Sequence, residues 1–282
     1  MQRLKSIKLY FFSIIKLILL GVKNLYFKSN FYNKKLITFV PDRIFYNPST
    51  HLSASLIQAS SDFYKITDTS PELLWKTNIK DRQKFENLHS FLWLTKLDRK
   101  NSKIITKNII KSWIENFFNY DPNTWEMQIT AKRIIAWSSN TDITLEGADK
   151  IYKENFFLSI IKQSNFLLKN LHDLLYPPSK IICCSAIILS GMIFKENNIS
   201  HKLGIKELEK IIKSFFDENG FPKSRNPEEV FICIKYLILV RECLKEAQQP
   251  IPDFLNEIIN KCGNCYAMLS CYNKQFPLFN GA

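Results

Sequence analysis

The stretch NFFNYDPNTWEMQITAKRIIAW, residues 116–137, decides the fold class of this chain. An aromatic-rich helix end runs into Asp121 and Pro122, and the proline stops one helix where the next can begin. Thr124 is the predicted N-cap of that second helix. The second helix carries a stripe at four-residue steps, formed by Trp125, Ile129, Arg133 and Trp137. The pattern predicts consecutive helices separated by a proline turn.

This stripe has two interpretations. Trp125, Arg133 and Trp137 could form a binding surface, because tryptophan stacks on flat rings and arginine binds carboxylates. Alternatively, the tryptophans belong to the core and Arg133 lies over them with its guanidinium group in water. The pattern alone favours the second interpretation.

Composition supports an all-α protein with a strong positive charge. The 282 residues include only seven glycines, and 46% are apolar, which favours helices over strands and tight turns. The net charge of +13 would attract nucleic acid, anionic lipid or acidic polysaccharide, unless the lysines are simply spread over solvated faces. No long basic run or nucleic-acid motif is present, so nucleic acid is not a predicted partner.

The cysteines and histidines indicate neither a disulfide framework nor a cofactor site. The seven cysteines lie within apolar helical stretches, which predicts buried thiols. Cys262 and Cys265, with Cys271, have the spacing of a metal knuckle, but no histidine is near and no second CxxC pair completes it. The four histidines are scattered singly, and no glycine-rich phosphate loop, HExxH or GxSxG motif occurs. We therefore predict no metal and no cofactor.

The N-terminal residues 1–35 read as a basic amphipathic segment distinct from the remainder. The apolar run Leu9–Val22 is interrupted by Lys16 and is too short to span a bilayer comfortably. Basic residues before an apolar run resemble a signal peptide, but no small-x-small cleavage site follows. Residues 1–28 are predicted to form an amphipathic helix that lies on a membrane or caps the domain. The sequence leaves both possibilities open.

Prolines punctuate the rest of the chain and mark most of the breaks between helices. A short β-like run, Leu36–Val40, ends at Pro41. The predicted helices cover approximately 50–60, 80–97, 101–118, 124–139, 146–173, 179–195, 205–216, 228–246 and 252–271. Short links between successive helices favour antiparallel neighbours, so the predicted fold is an array of α-hairpins.

Several segments together resemble the N-terminal part of bacterial heparinase II/III-like proteins. They are PDRIFYNPSTHLSASLIQASSDFY (41–64), ENLHSFLWLTKL (86–97), Trp113 followed by Trp125, Thr130, Arg133 and Trp137, the loop DENGFPKSRNPEEV (217–230), IPDFLNEIIN (251–260) and PLFNGA (277–282). The individual motifs are loose, and their order and spacing carry the resemblance. It implies that residues 36–282 form an incomplete α/α toroid, which in full-length members is followed by a β-sandwich domain.

The resemblance also implies a polysaccharide lyase, which cuts uronic-acid polymers by β-elimination. That chemistry needs a group that neutralises the uronate carboxylate, a base for the C5 proton and an acid for the leaving oxygen. The loop 217–230 is expected to line the groove, with Lys223, Arg225 and Asn226 as substrate-binding residues. Where related proteins often carry a tyrosine and a histidine, this chain reads Glu229 and Val230. Catalysis by this chain alone is therefore not predicted, and no catalytic residue is assigned.

Three functions follow from these observations. The first is a lyase-like protein for acidic polysaccharide, whose predicted substrate-binding residues are Trp125, Arg133, Trp137, Lys223, Arg225 and Asn226. The second is a non-catalytic module that binds acidic glycan or serves as a scaffold at the cell envelope. The third is a membrane-surface protein held by residues 1–28. The expected location is the cell envelope or periplasm, with the cytoplasm or the inner membrane as the alternative.

Overall fold

Helices make up nearly all of the regular structure in the computed structural model, which describes residues 2–54, 56, 70–76 and 79–269. The α-helices in these ranges are α1 (Gln2–Lys28), α2 (Asn30–Leu36), α3 (Thr50–Ala54), α4 (Pro71–Leu74), α5 (Arg82–Ser90), α6 (Lys103–Phe117), α7 (Met127–Ser138), α8 (Thr141–Thr144), α9 (Lys150–Asn170), α10 (Pro177–Ile193), α11 (Asn198–Phe215), α12 (Pro227–Glu246) and α13 (Asp253–Leu269). Short 3-10 helices cover Leu92–Lys96, Leu171–Asp173 and Lys195–Asn197. None of the helices described is both long and apolar enough to cross a membrane.

The helices form the two layers of an incomplete α/α toroid, as predicted. Helices α5, α7, α10 and α12 are successive neighbours in one layer, which we call the inner layer. Helices α6, α9, α11 and α13 pack outside them, and the pairs α9–α10, α10–α11 and α12–α13 are hairpins. Helix α3 contacts both the 3-10 helix Leu92–Lys96 and α12, so it joins the two ends of the inner layer.

The α10–α11 hairpin is the closest helix pair, and a glycine permits its approach. A Cβ atom added at Gly191 in α10 would lie 2.4 Å from the backbone nitrogen of His201 in α11. Real Cβ atoms do not approach backbone atoms this closely, so any larger residue would push the helices apart. The absence of a side chain at one position therefore fixes the spacing of inner and outer layers here.

The fold corrects three predictions about local structure. The N-cap of α7 is Glu126, whose side chain accepts a hydrogen bond from the Ile129 amide, so the assignment to Thr124 was wrong. The predicted helix 80–97 is instead α5 followed by the 3-10 helix Leu92–Lys96, because Phe91 has φ of 58° and interrupts it. The predicted β-like run forms no strand, because Leu36 ends α2 and residues 37–40 have no regular secondary structure. Residues 57–64, Cys271 and the segment 277–282 lie outside the described residues.

Candidate functional site

The N-terminal turn of each inner helix contacts the N-terminal turn of the next inner helix. The four inner helices therefore run parallel to one another. Arg82 of α5 lies 4.0 Å from Glu126 at the start of α7. Gln128 of α7 donates to the hydroxyl of Ser179 in α10 over 2.8 Å. Tyr176, the N-cap residue of α10, lies close enough to Glu229 in the first turn of α12 that this carboxylate, after burial, raises the pKa of its phenol. The positive ends of four helix dipoles therefore share one rim of the toroid.

A cavity of about 240 Å³ lies between these inner helices. Every inner helix contributes to its wall, as do the 3-10 helix Leu92–Lys96 and Leu56. The lining residues are Leu56, Gln83, Glu86, Asn87, Ser90, Leu92, Trp93, Lys96, Gln128, Lys132, Ile182, Ile232, Lys235 and Tyr236. This is the concave surface that the toroid fold predicts, open to solvent and lined by both polar and flat apolar side chains.

The charge of the cavity is positive. Lys96, Lys132 and Lys235 come from three different elements, and none of them forms an ion pair with another described residue. The carboxylate of Glu86, which also lines the cavity, is matched by Arg82 at 2.9 Å. Burial lowers the pKa of Lys235, whose ammonium group lies 3.8 Å from the centre of the Phe231 ring. The site is therefore suited to an anionic ligand.

Amides and aromatic rings complete the lining. Gln83, Asn87 and Gln128 present groups that can both donate and accept hydrogen bonds, as sugar hydroxyls require. Trp93 is fixed in the wall because its indole nitrogen donates to the backbone oxygen of Leu88 over 3.1 Å. Tyr236 lines the cavity from α12, and burial raises the pKa of its phenol, which stays protonated.

Three of the predicted binding residues are core residues instead. Trp125, Arg133 and Trp137 are each no more than 1% exposed, so the prediction that they line a groove was wrong. The indole of Trp137 packs at 5.4 Å from that of Trp113, and Trp125 donates to the backbone oxygen of Phe117. The second interpretation of the stripe was right for the tryptophans. It was wrong for Arg133, whose guanidinium group is buried rather than in water.

Arg133 links four parts of the fold through its guanidinium group. It donates to the side-chain oxygen of Gln163 in α9 over 2.7 Å and to the backbone oxygens of His89 and Thr124, each over 3.0 Å. Its Cζ atom also lies 4.0 Å from the centre of the Trp113 ring. Burial lowers the pKa of Arg133 well below its usual value. The resulting network supports the inner wall from behind without reaching the cavity.

The other predicted residues lie in the loop that leads into α12, apart from the cavity. Lys223 is exposed and donates to the backbone oxygen of Ser214 over 2.7 Å. Arg225 pairs with Asp217 at 2.7 Å. Asn226 is the N-cap of α12 and accepts from the Glu228 amide, so its side-chain oxygen is already engaged. None of the three lines the cavity, although their loop reaches the same rim of the inner layer.

The loop is held by contacts with α13 that require its glycine. Gly220 has φ of 81°, and a Cβ atom there would lie 2.4 Å from Lys261 Cβ. The thiols of Cys262 and Cys265 contact the backbone oxygens of Gly220 and Asn219. These two cysteines of the CxxC pair therefore have a packing role, and all six described cysteines are buried free thiols. No group of residues suited to holding a metal occurs within the described ranges.

Sequence reasoning missed the lysines that do line the cavity. Gln128 and Lys132 lie on α7, the helix that the sequence singled out, one position before Ile129 and Arg133 of the buried stripe. They are half-buried. Polar side chains four residues apart on an otherwise apolar helix were the available signal.

Comparisons with known proteins bear on the fold. No family model matches the sequence, and no curated protein matches it. Among solved structures, a mutant of heparan sulfate lyase HepC from Pedobacter heparinus is similar, with a TM-score of 0.60 and 12% identity over 88% of this chain and 44% of that chain. A protein described as a heparinase III gene product has a TM-score of 0.54 and 14% identity, over 82% of this chain and 43% of that chain.

This chain has a heparinase-like helical toroid fold. The similarity, at these identities, extends to the fold alone. The chain spans less than half the length of the solved structures that it matches.

Proposed function

We propose that this chain is the helical, substrate-binding part of a polysaccharide-lyase-like protein that acts on uronic-acid-containing polysaccharide. The cavity between the inner helices carries the proposal, because it brings Lys96, Lys132 and Lys235 together with amides and an ordered tryptophan. Its position on the concave side of a toroid shared with heparan sulfate lyases supports the same choice of ligand.

The chemistry of the ligand follows from the lining. A uronate carboxylate would lie among the lysines and near the positive ends of the inner helices, where its negative charge is stabilised. Sugar hydroxyls would bond to the amides of Asn87 and Gln128, which line the cavity. Because the cavity is open to solvent, binding would weaken as salt concentration rises.

The lining supplies part of what β-elimination needs. Lysines beside the carboxylate would make the C5 proton more acidic by neutralising the developing negative charge. The proton must still pass to a base, and the leaving oxygen must receive one. The described lining contains no histidine, and the phenol of Tyr236 is held protonated. In our proposal, the base lies outside the described lining.

A binding module without catalysis is the second candidate, and one observation favours it. Glu229, at the position where the resemblance implies a tyrosine, is buried, accepts a hydrogen bond from Ser224 and lies near the phenol of Tyr176. Its carboxylate stabilises the contact between α10 and α12. It is therefore not free to take a proton from substrate. On either proposal, we place the protein where acidic polysaccharide occurs, at the cell envelope or in the periplasm.

Two assays on the full chain separate these candidates. We expect oligosaccharides of uronic acid to bind, with an affinity that falls as salt is raised, while neutral oligosaccharides of equal length do not bind. A rise in ultraviolet absorbance, from newly formed unsaturated uronate, would assign lyase activity to this chain. Binding without such a rise would select the binding module. Failure of every uronic-acid polymer to bind would contradict both.

A further inference from the structure

Among the described side chains of helix α1, those that hold it to the toroid lie near its C-terminal end. Phe27 is buried and packs against Tyr32, Tyr120 and Phe166. Lys23 pairs with Asp173 at 2.5 Å. Before this point the helix is open, and a Cβ atom added at Gly21 would meet nothing within 4 Å. The helix is therefore anchored by its last two turns and extends away from the core.

The open part of α1 carries an apolar stripe that nothing in the described structure covers. The centre of the stripe follows the 3.6-residue period of a helix and consists of Phe11, Ile14, Ile15, Ile18, Val22 and Leu25, and Tyr10, Leu17 and Leu19 widen it on both sides. Their exposed fractions run from 36% at Ile15 to 73% at Leu25. A contiguous row of large exposed apolar side chains is unusual on the surface of a soluble protein and indicates an interaction site.

The charge of the N-terminal segment identifies the partner of the apolar stripe. The first 41 residues contain eight lysines and arginines and no aspartate or glutamate, the first acidic residue being Asp42. A helix that combines exposed apolar side chains with purely basic charge binds in the interface of an anionic bilayer, where the apolar stripe enters the acyl region and the cations contact headgroups. A second copy of the same segment would instead bring like charges together, which disfavours self-association through the stripe.

We propose that α1 lies in the surface of an anionic membrane through this stripe and holds the toroid beside it. The anchor at Phe27 would fix the toroid relative to the membrane plane, since the last turns of the helix pack on the core. The inference does not depend on what the cavity binds.

Vesicle co-sedimentation of the full chain tests this proposal. The vesicles are phosphatidylcholine alone or phosphatidylcholine mixed with phosphatidylglycerol. The test variant is Ile18→Glu with Val22→Glu, and the control with the same charge change is Ile104→Glu with Ile199→Glu, at two exposed apolar residues on α6 and α11. We expect the test variant to lower partition onto anionic vesicles by at least about tenfold, and the control to stay within about twofold of the parent chain.

Three other results would contradict the proposal that the stripe of α1 binds an anionic membrane. Equal partition of the test variant and the parent chain would exclude the stripe as the contact, and equal partition onto both vesicle types would exclude anionic lipid as the partner. A lipid-free dimer that the test variant converts to a monomer would assign the stripe to a second copy. Binding of uronic-acid oligosaccharide, measured on the same variant, is expected to be unchanged, so failure here is distinguishable from failure of the proposed function.

Discussion

Arg133 is a buried cation whose partners are carbonyl and amide oxygens rather than a carboxylate. Replacing it with methionine removes a charge that is costly to bury, but it leaves four acceptors, including the hydroxyl oxygen of Thr130, without their donor. Each orphaned acceptor costs on the order of 1 kcal/mol or more, and we judge that this loss outweighs the relief. We predict that Arg133→Met lowers the free energy of unfolding by about 3 kcal/mol.

Urea denaturation measures this change. The control is Arg82→Met, at an exposed arginine whose ion pair with Glu86 should contribute less than about 1 kcal/mol. Equal stability of the two variants would contradict the role assigned to Arg133.

The buried His89 makes the stability of the folded chain depend on pH. Burial, with a smaller contribution from Arg133, lowers the pKa of His89 to about 3, and its Nδ1 accepts a hydrogen bond from Trp113. The unfolded chain, with a histidine pKa near 6.5, binds more protons than the folded chain below that pH. The stability contributed by neutral His89 is therefore complete above about pH 6.5 and is lost as pH falls toward about 3.

The variant His89→Gln isolates this contribution, since glutamine can still accept from Trp113. We expect its unfolding free energy to fall less steeply than that of the parent chain between about pH 6 and pH 4, by about 1.4 kcal/mol per pH unit. The control is His172→Gln, at an exposed histidine, which should keep the parent slope. A parent-like slope for His89→Gln would contradict the assignment.

At the scale of the single residue, the sequence identified the right helix and the wrong face. Four-residue spacing places Ile129, Arg133 and Trp137 on one side of α7, but spacing does not show which side meets the core. The packing of Trp113 and Gln163 against Arg133 decides this, and both come from other helices. Burial of an arginine without a carboxylate partner contradicts its usual preference, so sequence could not have predicted it.

Among the helices, the α10–α11 contact offers a test with an internal control. We predict that Gly191→Ala destabilises the protein by about 1–3 kcal/mol, because the new methyl group meets the backbone of α11. Gly263→Ala, within α13, meets nothing within 4 Å, and it should stabilise by up to about 1 kcal/mol through helix propensity. Thermal unfolding of both variants checks the prediction, and a stabilised Gly191→Ala would show that the helices are not in close contact.

The presence of the long helices was predictable from the sequence, but the residues at which they begin and end were less predictable. Proline breaks located most of the long helices, and Pro227 begins α12, whose first turn contains Glu228 and Glu229. The division of 80–97 at Phe91 was not predictable, because that residue has no intrinsic preference for positive φ and is held there by its packing with Trp93 and Trp137.

At the scale of the whole molecule, short links between helices predicted an array of α-hairpins, and the resemblance to heparinase II/III-like proteins implied that the array forms a toroid. The cavity was not predictable, since Lys96, Lys132 and Lys235 are separated by up to 139 residues and meet only when the inner helices close around them. Apart from the spacing of Gln128 and Lys132 on α7, no local pattern distinguishes these lysines from those on solvated faces.

The proposed function requires an acidic sugar to bind among those three lysines. Its most direct test is the affinity of the full chain for a uronic-acid oligosaccharide, compared between Lys132→Gln with Lys235→Gln and the control Lys202→Gln with Lys206→Gln on the exposed side of α11. Both variants lose the same charge. We predict that the cavity variant binds at least about tenfold more weakly and that the control changes by less than about twofold. Equal weakening in both variants would show that net charge, and not the cavity, attracts the ligand.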